Sequence, residues 1–123
     1  GLTRVPELLE AGLSVAFGQD SIRDPWYPLG NGNLLRTLDV GLHACHMLGM
    51  SWIERCLELV TDNGAAALDL DQYGIAPGLP ARCMVLQGRS PYEVLLGQYP
   101  VMASVRDGRV LVRRAPVTTA SAY

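Results

Sequence analysis

The sequence lacks the features that mark membrane, secreted and nucleic-acid-binding proteins. Its 123 residues include no apolar run of the roughly 18 to 20 residues that span a bilayer, and no secretory signal stands at the start. There is no basic run and no acidic tail, and the formal net charge is −2, so the charge that attracts nucleic acid is missing. We therefore expect a cytoplasmic protein with neither a membrane nor a nucleic acid as its partner.

Residues that commonly bind metals or form disulfides are also scarce. The three cysteines, Cys45, Cys56 and Cys83, are odd in number and irregularly spaced, which favours free, buried thiols in a reducing compartment. The two histidines, His43 and His46, share one face of a predicted helix and could reach one ion. No second pair of ligands occurs elsewhere in the sequence, so we expect no metal on this helix face.

The sequence does have enough apolar material for a core, since 49% of its residues are hydrophobic and its length is that of an ordinary domain. Apolar spacing and turn residues predict helices over 6–11, 33–48, 51–60 and 64–70, strands over 13–17, 82–86, 101–105 and 110–112, and a helical turn over 92–96. The small, polar tail over 116–123 is predicted to fray.

The longest predicted helix, 33–48, shows the clearest amphipathic pattern. Its predicted apolar stripe consists of Leu34, Leu38, Leu42 and Cys45. Asn33 is suited to cap its start. Gly41 weakens a helix and marks a point of close packing.

Three further local signals predict where elements begin and turn. Ser51 and Glu54 form a capping box that would start the helix 51–60. Asn63 is suited to cap the helix 64–70. Asp107 and Gly108 favour a type I′ turn, which predicts a hairpin between the last two strands.

The apolar run 13–17 ends abruptly at a glycine and the carboxylate of Asp20. In parallel α/β barrels the carboxyl end of a strand is where the chemistry lies, so Asp20 is a candidate catalytic residue. The alternative is that it caps a turn. The Pro- and Gly-rich run that follows, 24–30, has the sequence DPWYPLG and reads as a loop over a pocket mouth. Trp26 would either form a wall of that pocket or cover the core.

Several stretches resemble the cytosine deaminase family of the metal-dependent amidohydrolase superfamily. They are residues 1–12 (GLTRVPELLEAG), the pattern Phe17-Gly18-x-Asp20, and the run 24–30. Residues 61–68 (T-x-N-x-A-A-x-L) and 73–78 (YGIAPG) are similar to the general C-terminal signature of the superfamily. The resemblance implies an α/β fold. Residues 1–74 would be the C-terminal end of a (β/α)8 barrel, with its last strand and outer helices, and residues 75–123 the C-terminal share of a flanking β-sandwich.

The resemblance also implies roles for individual residues. Asp20 matches a metal ligand that accepts a proton from the attacking water, with Zn or Fe as the metal of the complete enzyme. Trp26 matches an aromatic residue near the flat substrate ring. Ser21 stands where the family pattern has a second Asp, so it would bind the substrate and tune which ring is accepted. Gln19 stands where a His is common.

Complete enzymes of this kind are much longer than this chain and carry a His-x-His pair that this sequence lacks. We therefore expect a fragment of a cytosine deaminase-like amidohydrolase. The complete enzyme would hydrolytically deaminate a pyrimidine or related ring. The chain alone would be inactive, would hold no metal tightly, and would form a homo-oligomer or need an N-terminal segment. The alternative is a non-catalytic assembly or binding module.

Overall fold

Two units, Gly1–Leu70 and Asp71–Tyr123, make up the chain, and the computed structural model describes residues 1–118 of it. The first unit is helical. It consists of α1 (Val5–Glu10), α2 (Leu34–Ala44), α3 (Met50–Ile53), a 3₁₀ helix (Cys56–Val60) and α4 (Asp62–Ala67). Its buried core is formed by Val5, Leu35, Leu38, Leu42, Met47, Cys56, Leu59 and Ala65. None of the helices in the described residues is long and apolar enough to cross a membrane.

In helix α2 the predicted N-cap is confirmed, but the buried apolar stripe differs from the predicted one. The side chain of Asn33 accepts a hydrogen bond of 3.0 Å from the amide of Leu35. The buried leucines are Leu35, Leu38 and Leu42, whereas Leu34 is 38% exposed. The helix ends at Ala44, earlier than predicted, because His46 takes the left-handed conformation with φ 57°.

Gly41 is a point of close packing, as predicted. A Cβ atom placed there would lie 2.5 Å from Cε2 of Phe17, well inside van der Waals contact. The absence of a side chain thus lets the only phenylalanine of the chain pack directly on α2.

The prediction of a strand over 13–17 is wrong within the described residues, because this segment has no neighbouring strand. A lone segment cannot form the backbone ladder that defines a strand. Two hydrogen bonds of 2.8 Å hold it instead. The Phe17 amide donates to the Leu59 carbonyl, and Asn63 Nδ2 donates to the Val15 carbonyl.

The predicted helix 51–60 is interrupted, and its capping box is wrong. Gly49 is the N-cap of α3, so Ser51 lies inside the helix. Beyond α3 the amide of Glu58 bonds the carbonyl of Arg55, which is the tighter spacing of the 3₁₀ helix. Asn63 is likewise inside α4, which begins at Asp62, and its side chain donates to the Val15 carbonyl instead of capping the helix.

The second unit contains a small antiparallel sheet and one helix. Its elements are β1 (Cys83–Val85), α5 (Pro91–Gly97), β2 (Ala103–Arg106) and β3 (Arg109–Arg113), with strand order β1-β2-β3. The three predicted strands and the predicted turn before residue 100 are thereby confirmed, within a few residues at their ends. Asp107 and Gly108 have φ values of 50° and 77°, as the predicted type I′ hairpin requires.

The tail is held at least as far as Val117, contrary to the prediction that it frays from residue 116. The amide of Val117 donates to Gln87 Oε1, and Gln87 Nε2 donates to the Val117 carbonyl, both at 2.8 Å. The rest of the predicted frayed tail, 119–123, lies outside the described residues.

All three cysteines are free thiols, as predicted. Only Cys56 is buried, and this burial raises the pKa of its thiol. Cys45 and Cys83 are half-buried, so the prediction of burial is confirmed for one of the three. Cys45 lies just past the end of α2, as its C-cap, and therefore does not join the apolar stripe.

Candidate functional site

The carboxylate of Asp20 is exposed and makes no hydrogen bond or ion pair with another described residue. The alternative that Asp20 caps a turn is thus excluded, because a capping carboxylate would accept a backbone amide. Its position is set entirely by the backbone around it. The carboxylate oxygens remain available to bind a proton, a cation or a polar ligand.

The residue before Asp20 ties this backbone to helix α2. Gln19 Nε2 donates a hydrogen bond of 2.9 Å to the carbonyl of Ser21. The hydroxyl of Thr37, on α2, donates one of 2.9 Å to Gln19 Oε1. No sequence pattern predicts this pair, since a threonine inside a helix carries no signal for a contact 18 residues away.

Asp24 organises the turn that begins the following loop. Its Oδ1 accepts the amides of Trp26 at 3.0 Å and Tyr27 at 2.8 Å. The hydrogen bond from the Tyr27 amide, together with those from the Ser21 hydroxyl and the Trp26 amide, lowers the pKa of the Asp24 carboxyl. The carboxylate of Asp24 is therefore used within the loop, whereas that of Asp20 is not.

Gly30 closes the loop on itself. Its amide donates to the Tyr27 carbonyl at 3.0 Å, and its carbonyl accepts the Arg23 amide at 3.1 Å. A Cβ atom at Gly30 would overlap the carbonyl oxygen of Ser21 and lie 2.9 Å from Cδ1 of Tyr27. Only glycine therefore fits where the end of the loop packs against the backbone beside Asp20.

The two aromatic residues of the loop differ in their surroundings. The guanidinium of Arg36, on α2, lies 5.9 Å from the centroid of the Tyr27 ring, which is cation–π distance. Trp26 is 91% exposed, which excludes the alternative that it covers the core. Its indole is free to stack on a planar group that does not belong to the described residues.

No group of three or more His, Cys, Asp or Glu side chains among residues 1–118 could hold a metal ion. His43 Nδ1 lies 2.9 Å from the Asp39 carbonyl oxygen and 3.3 Å from Asp39 Oδ1. His46 stands in the left-handed turn after α2. Asp20 offers a single carboxylate, and zinc or iron needs several converging ligands, so the described residues do not by themselves fit a metal centre.

A cleft in the first unit lies away from these residues. It has a volume of about 430 Å³ and is lined by residues of α1, α3, the 3₁₀ helix, α4 and the segment between α1 and Asp20, among them Leu9, Leu13, Trp52 and Cys56. Asp20, Ser21 and Trp26 do not line it. The structure thus places Asp20, Ser21 and the loop 24–30 next to one another and apart from this cleft.

Comparison with known proteins identifies the family to which this chain belongs. The model of the Amidohydrolase family matches residues 1–112. The chain therefore belongs to the amidohydrolase family.

Two curated relatives are similar in sequence to most of this chain. N-isopropylammelide isopropyl amidohydrolase from Pseudomonas sp. (strain ADP) is 33% identical over 115 residues, which are 89% of this chain and 27% of that protein. Pterin deaminase from Rhizobium rhizogenes is 30% identical over 118 residues, which are 94% of this chain and 26% of that protein.

Solved structures give the same result. A 5-methylcytosine deaminase from Klebsiella pneumoniae, liganded with 5-fluorocytosine, is 52% identical and superposes with a TM-score of 0.92. The match covers 97% of this chain and 29% of that one. N-isopropylammelide isopropylaminohydrolase from Burkholderia multivorans is 25% identical with a TM-score of 0.82, over 89% of this chain and 28% of that one.

These findings confirm the resemblance to cytosine deaminase-like amidohydrolases. The chain spans less than a third of the length of each of these relatives.

Proposed function

We propose that this chain is the C-terminal portion of an amidohydrolase that hydrolytically deaminates a pyrimidine or a related ring and releases ammonia. Residues 1–74 would end the catalytic barrel, and residues 75–123 would supply strands to the flanking β-sandwich. The observation that carries the proposal is the likeness to 5-methylcytosine deaminase over nearly the whole chain, at 52% identity. The three-stranded antiparallel sheet of the second unit is compatible with a share of a sandwich.

The proposed chemistry is the addition of water to the ring carbon that bears the amino group, followed by loss of that group as ammonia. The addition requires a group that takes a proton from water, and a positioned carboxylate suits this task. Asp20 is the proposed acceptor, because its oxygens are exposed and engaged with no other described residue.

Two further residues complete the proposed substrate site. The exposed indole of Trp26 would stack on the planar ring. Ser21 would contact the ring through its hydroxyl and tune which ring is accepted. Asp20 would also supply one ligand to the zinc or iron of the complete enzyme, and the remaining ligands would come from outside the described residues.

A hybrid enzyme tests this proposal. In the hybrid, this chain replaces the matching segment of the K. pneumoniae 5-methylcytosine deaminase, which the close superposition permits. We expect the hybrid to release ammonia from cytosine or 5-methylcytosine. The 123-residue chain alone should release none and should retain no zinc or iron after dialysis, because it lacks most of the ligands. A folded hybrid without activity, or an active isolated chain with one tightly held metal, would contradict the proposal.

A second candidate function, assembly with another chain, is favoured by the exposed apolar side chains of the first unit. The largest exposures are those of Trp26 at 91%, Leu68 at 72% and Leu29 at 71%, and Leu2 is 69% exposed. Uncovered apolar surface of this kind favours association. A second copy of this chain, or the segment that precedes it in a complete enzyme, would cover these side chains.

We therefore expect the isolated chain to form dimers or larger species. Light scattering over a concentration series should give a mass that rises above the 13.3 kDa of one chain. Joining the chain to the rest of the deaminase in the hybrid is the control, since its added segments would cover the same side chains. A strictly monomeric isolated chain at all concentrations, without aggregation, would count against assembly.

A further inference from the structure

The backbone around Asp20 is held by a side-chain bridge that the family comparison does not assign. The amide group of Gln19 spans Asp20 and reaches the carbonyl of Ser21, at 2.9 Å, on its far side. Its other end meets the hydroxyl of Thr37 at 2.9 Å. Asp20 therefore lies inside a short loop that one glutamine side chain closes and one helix residue anchors.

Hydrogen-bond chemistry fixes the direction of this bridge. A carbonyl can only accept, so the nitrogen of the Gln19 amide must face Ser21, and its oxygen must then face Thr37. That oxygen can only accept, so the hydroxyl of Thr37 must donate. The carbonyl of Asn33 is a second acceptor for the same proton, but at 3.5 Å it is the weaker partner.

The bridge matters because, among the described residues, no hydrogen bond holds the side chain of Asp20 itself. Its carboxylate bonds no described residue, and the nearest backbone anchor before it is the bond from Phe17 to Leu59. On the other side, the Ser21 carbonyl is packed against Gly30 so closely that a Cβ atom there would overlap it. The Gln19 bond and the Gly30 contact thus both hold the Ser21 carbonyl, and only the former connects it to a helix.

We propose that Gln19 and Thr37 are positioning residues that hold Asp20 and Ser21 in place for the deamination proposed above, on which this inference rests. Helix α2 is anchored in the core by its buried leucines, so Thr37 gives the bridge a fixed point. A carboxylate that takes a proton from water must be placed within a fraction of an ångström to work efficiently. Without the bridge, the fold of the first unit would remain while the loop at Asp20 gained freedom.

The test is Thr37→Val, which removes the donor while keeping the shape of the side chain. In the 123-residue chain, ¹⁵N relaxation should show the order parameters of the Asp20 and Ser21 amides falling from about 0.85 towards 0.6. In the hybrid enzyme, kcat should fall about ten- to a hundredfold while KM changes little. Thr37→Ser, which keeps the hydroxyl, should restore both values.

Thr61→Val is the matched control. Its hydroxyl donates a hydrogen bond of 2.8 Å to the Leu57 carbonyl, so the same chemical change is made away from the bridge. It should lower thermal stability about as much as Thr37→Val and leave the order parameters at Asp20 and kcat unchanged. Unchanged order parameters at Asp20 and Ser21 in Thr37→Val, or an equal fall in Thr61→Val, would overturn the positioning role. A hybrid that releases no ammonia in any form counts against the proposed deamination, and the order parameters then decide the role of the bridge by themselves.

Discussion

Replacing Asp20 by alanine in the hybrid enzyme should abolish ammonia release while leaving the fold nearly unchanged. The side chain is exposed and makes no hydrogen bond to another described residue, so its removal costs little stability. Its proposed tasks, accepting a proton and supplying one metal ligand, would both be lost. The loss of rate should therefore exceed the roughly 10²- to 10⁴-fold that is typical of removing one acid–base group. Ammonia assays and thermal unfolding of the same preparations would measure the two effects.

Two variants sharpen this prediction. Asp20→Asn keeps the size of the side chain and removes its charge, so it should be nearly as inactive as Asp20→Ala. Asp24→Ala is the control. The carboxylate of Asp24 accepts the amides of Trp26 and Tyr27, so its loss should lower the unfolding temperature. The rate of ammonia release should fall much less than in Asp20→Ala. Turnover of Asp20→Ala within about tenfold of the parent would show that the assignment of Asp20 is wrong, because losing one acid–base group typically costs roughly 10²- to 10⁴-fold in rate.

The largest effect on stability should come from Leu38→Ala. Leu38 is completely buried, at 0% exposure, in the middle of α2. Truncating a buried leucine removes transfer free energy and leaves a cavity, at a cost of about 2–5 kcal/mol. Since a domain of this size is stable by only about 5–15 kcal/mol, much of the folding free energy would be lost. Urea unfolding of the 123-residue chain would measure the change.

Leu34→Ala is the matched control on the same helix. Leu34 is 38% exposed, so its truncation should cost distinctly less free energy than that of Leu38. Equal losses at the two positions would mean that Leu34 belongs to the core, as the sequence pattern predicts, and would contradict this prediction.

Local signals in the sequence predicted much of the second unit and the start of α2. The side chain of Asn33 caps that helix by accepting the amide of Leu35, two residues further along the chain. The Asp107–Gly108 turn depends only on the φ values of those two residues. Such features are decided within a few residues of the chain, where side chains and backbone meet whatever the rest of the fold does. The capping boxes show the limit of this reasoning. The predicted one at Ser51 is absent. A related cap forms at Ser90, whose hydroxyl accepts the Glu93 amide, while the Glu93 carboxylate accepts the amide of Arg89, the residue before the N-cap.

The candidate site was predicted in part. Asp20, Ser21 and Trp26 were singled out by the pattern after residue 17 and by the resemblance to cytosine deaminases. The pattern left open whether Asp20 caps a turn and whether Trp26 covers the core, and both alternatives were excluded by contacts and exposure. Their roles in catalysis stay predictions.

The sequence by itself determined the family, the amphipathic helix, the hairpin and the residues around Asp20, because motifs, periodicity and turn chemistry are written in neighbouring residues. Only the tertiary structure decided the contacts between distant segments. The side chain of Asn63 donates a hydrogen bond to the Val15 carbonyl, 48 residues away. The side chain of Gln19 accepts one from the hydroxyl of Thr37 on α2. No pattern of adjacent residues encodes such pairs, because they form only when packing of the core brings their segments within hydrogen-bond distance. For the same reason the run 13–17 is strand-like in composition and yet forms no strand in the described residues, since a strand exists only where a neighbour shares its backbone hydrogen bonds.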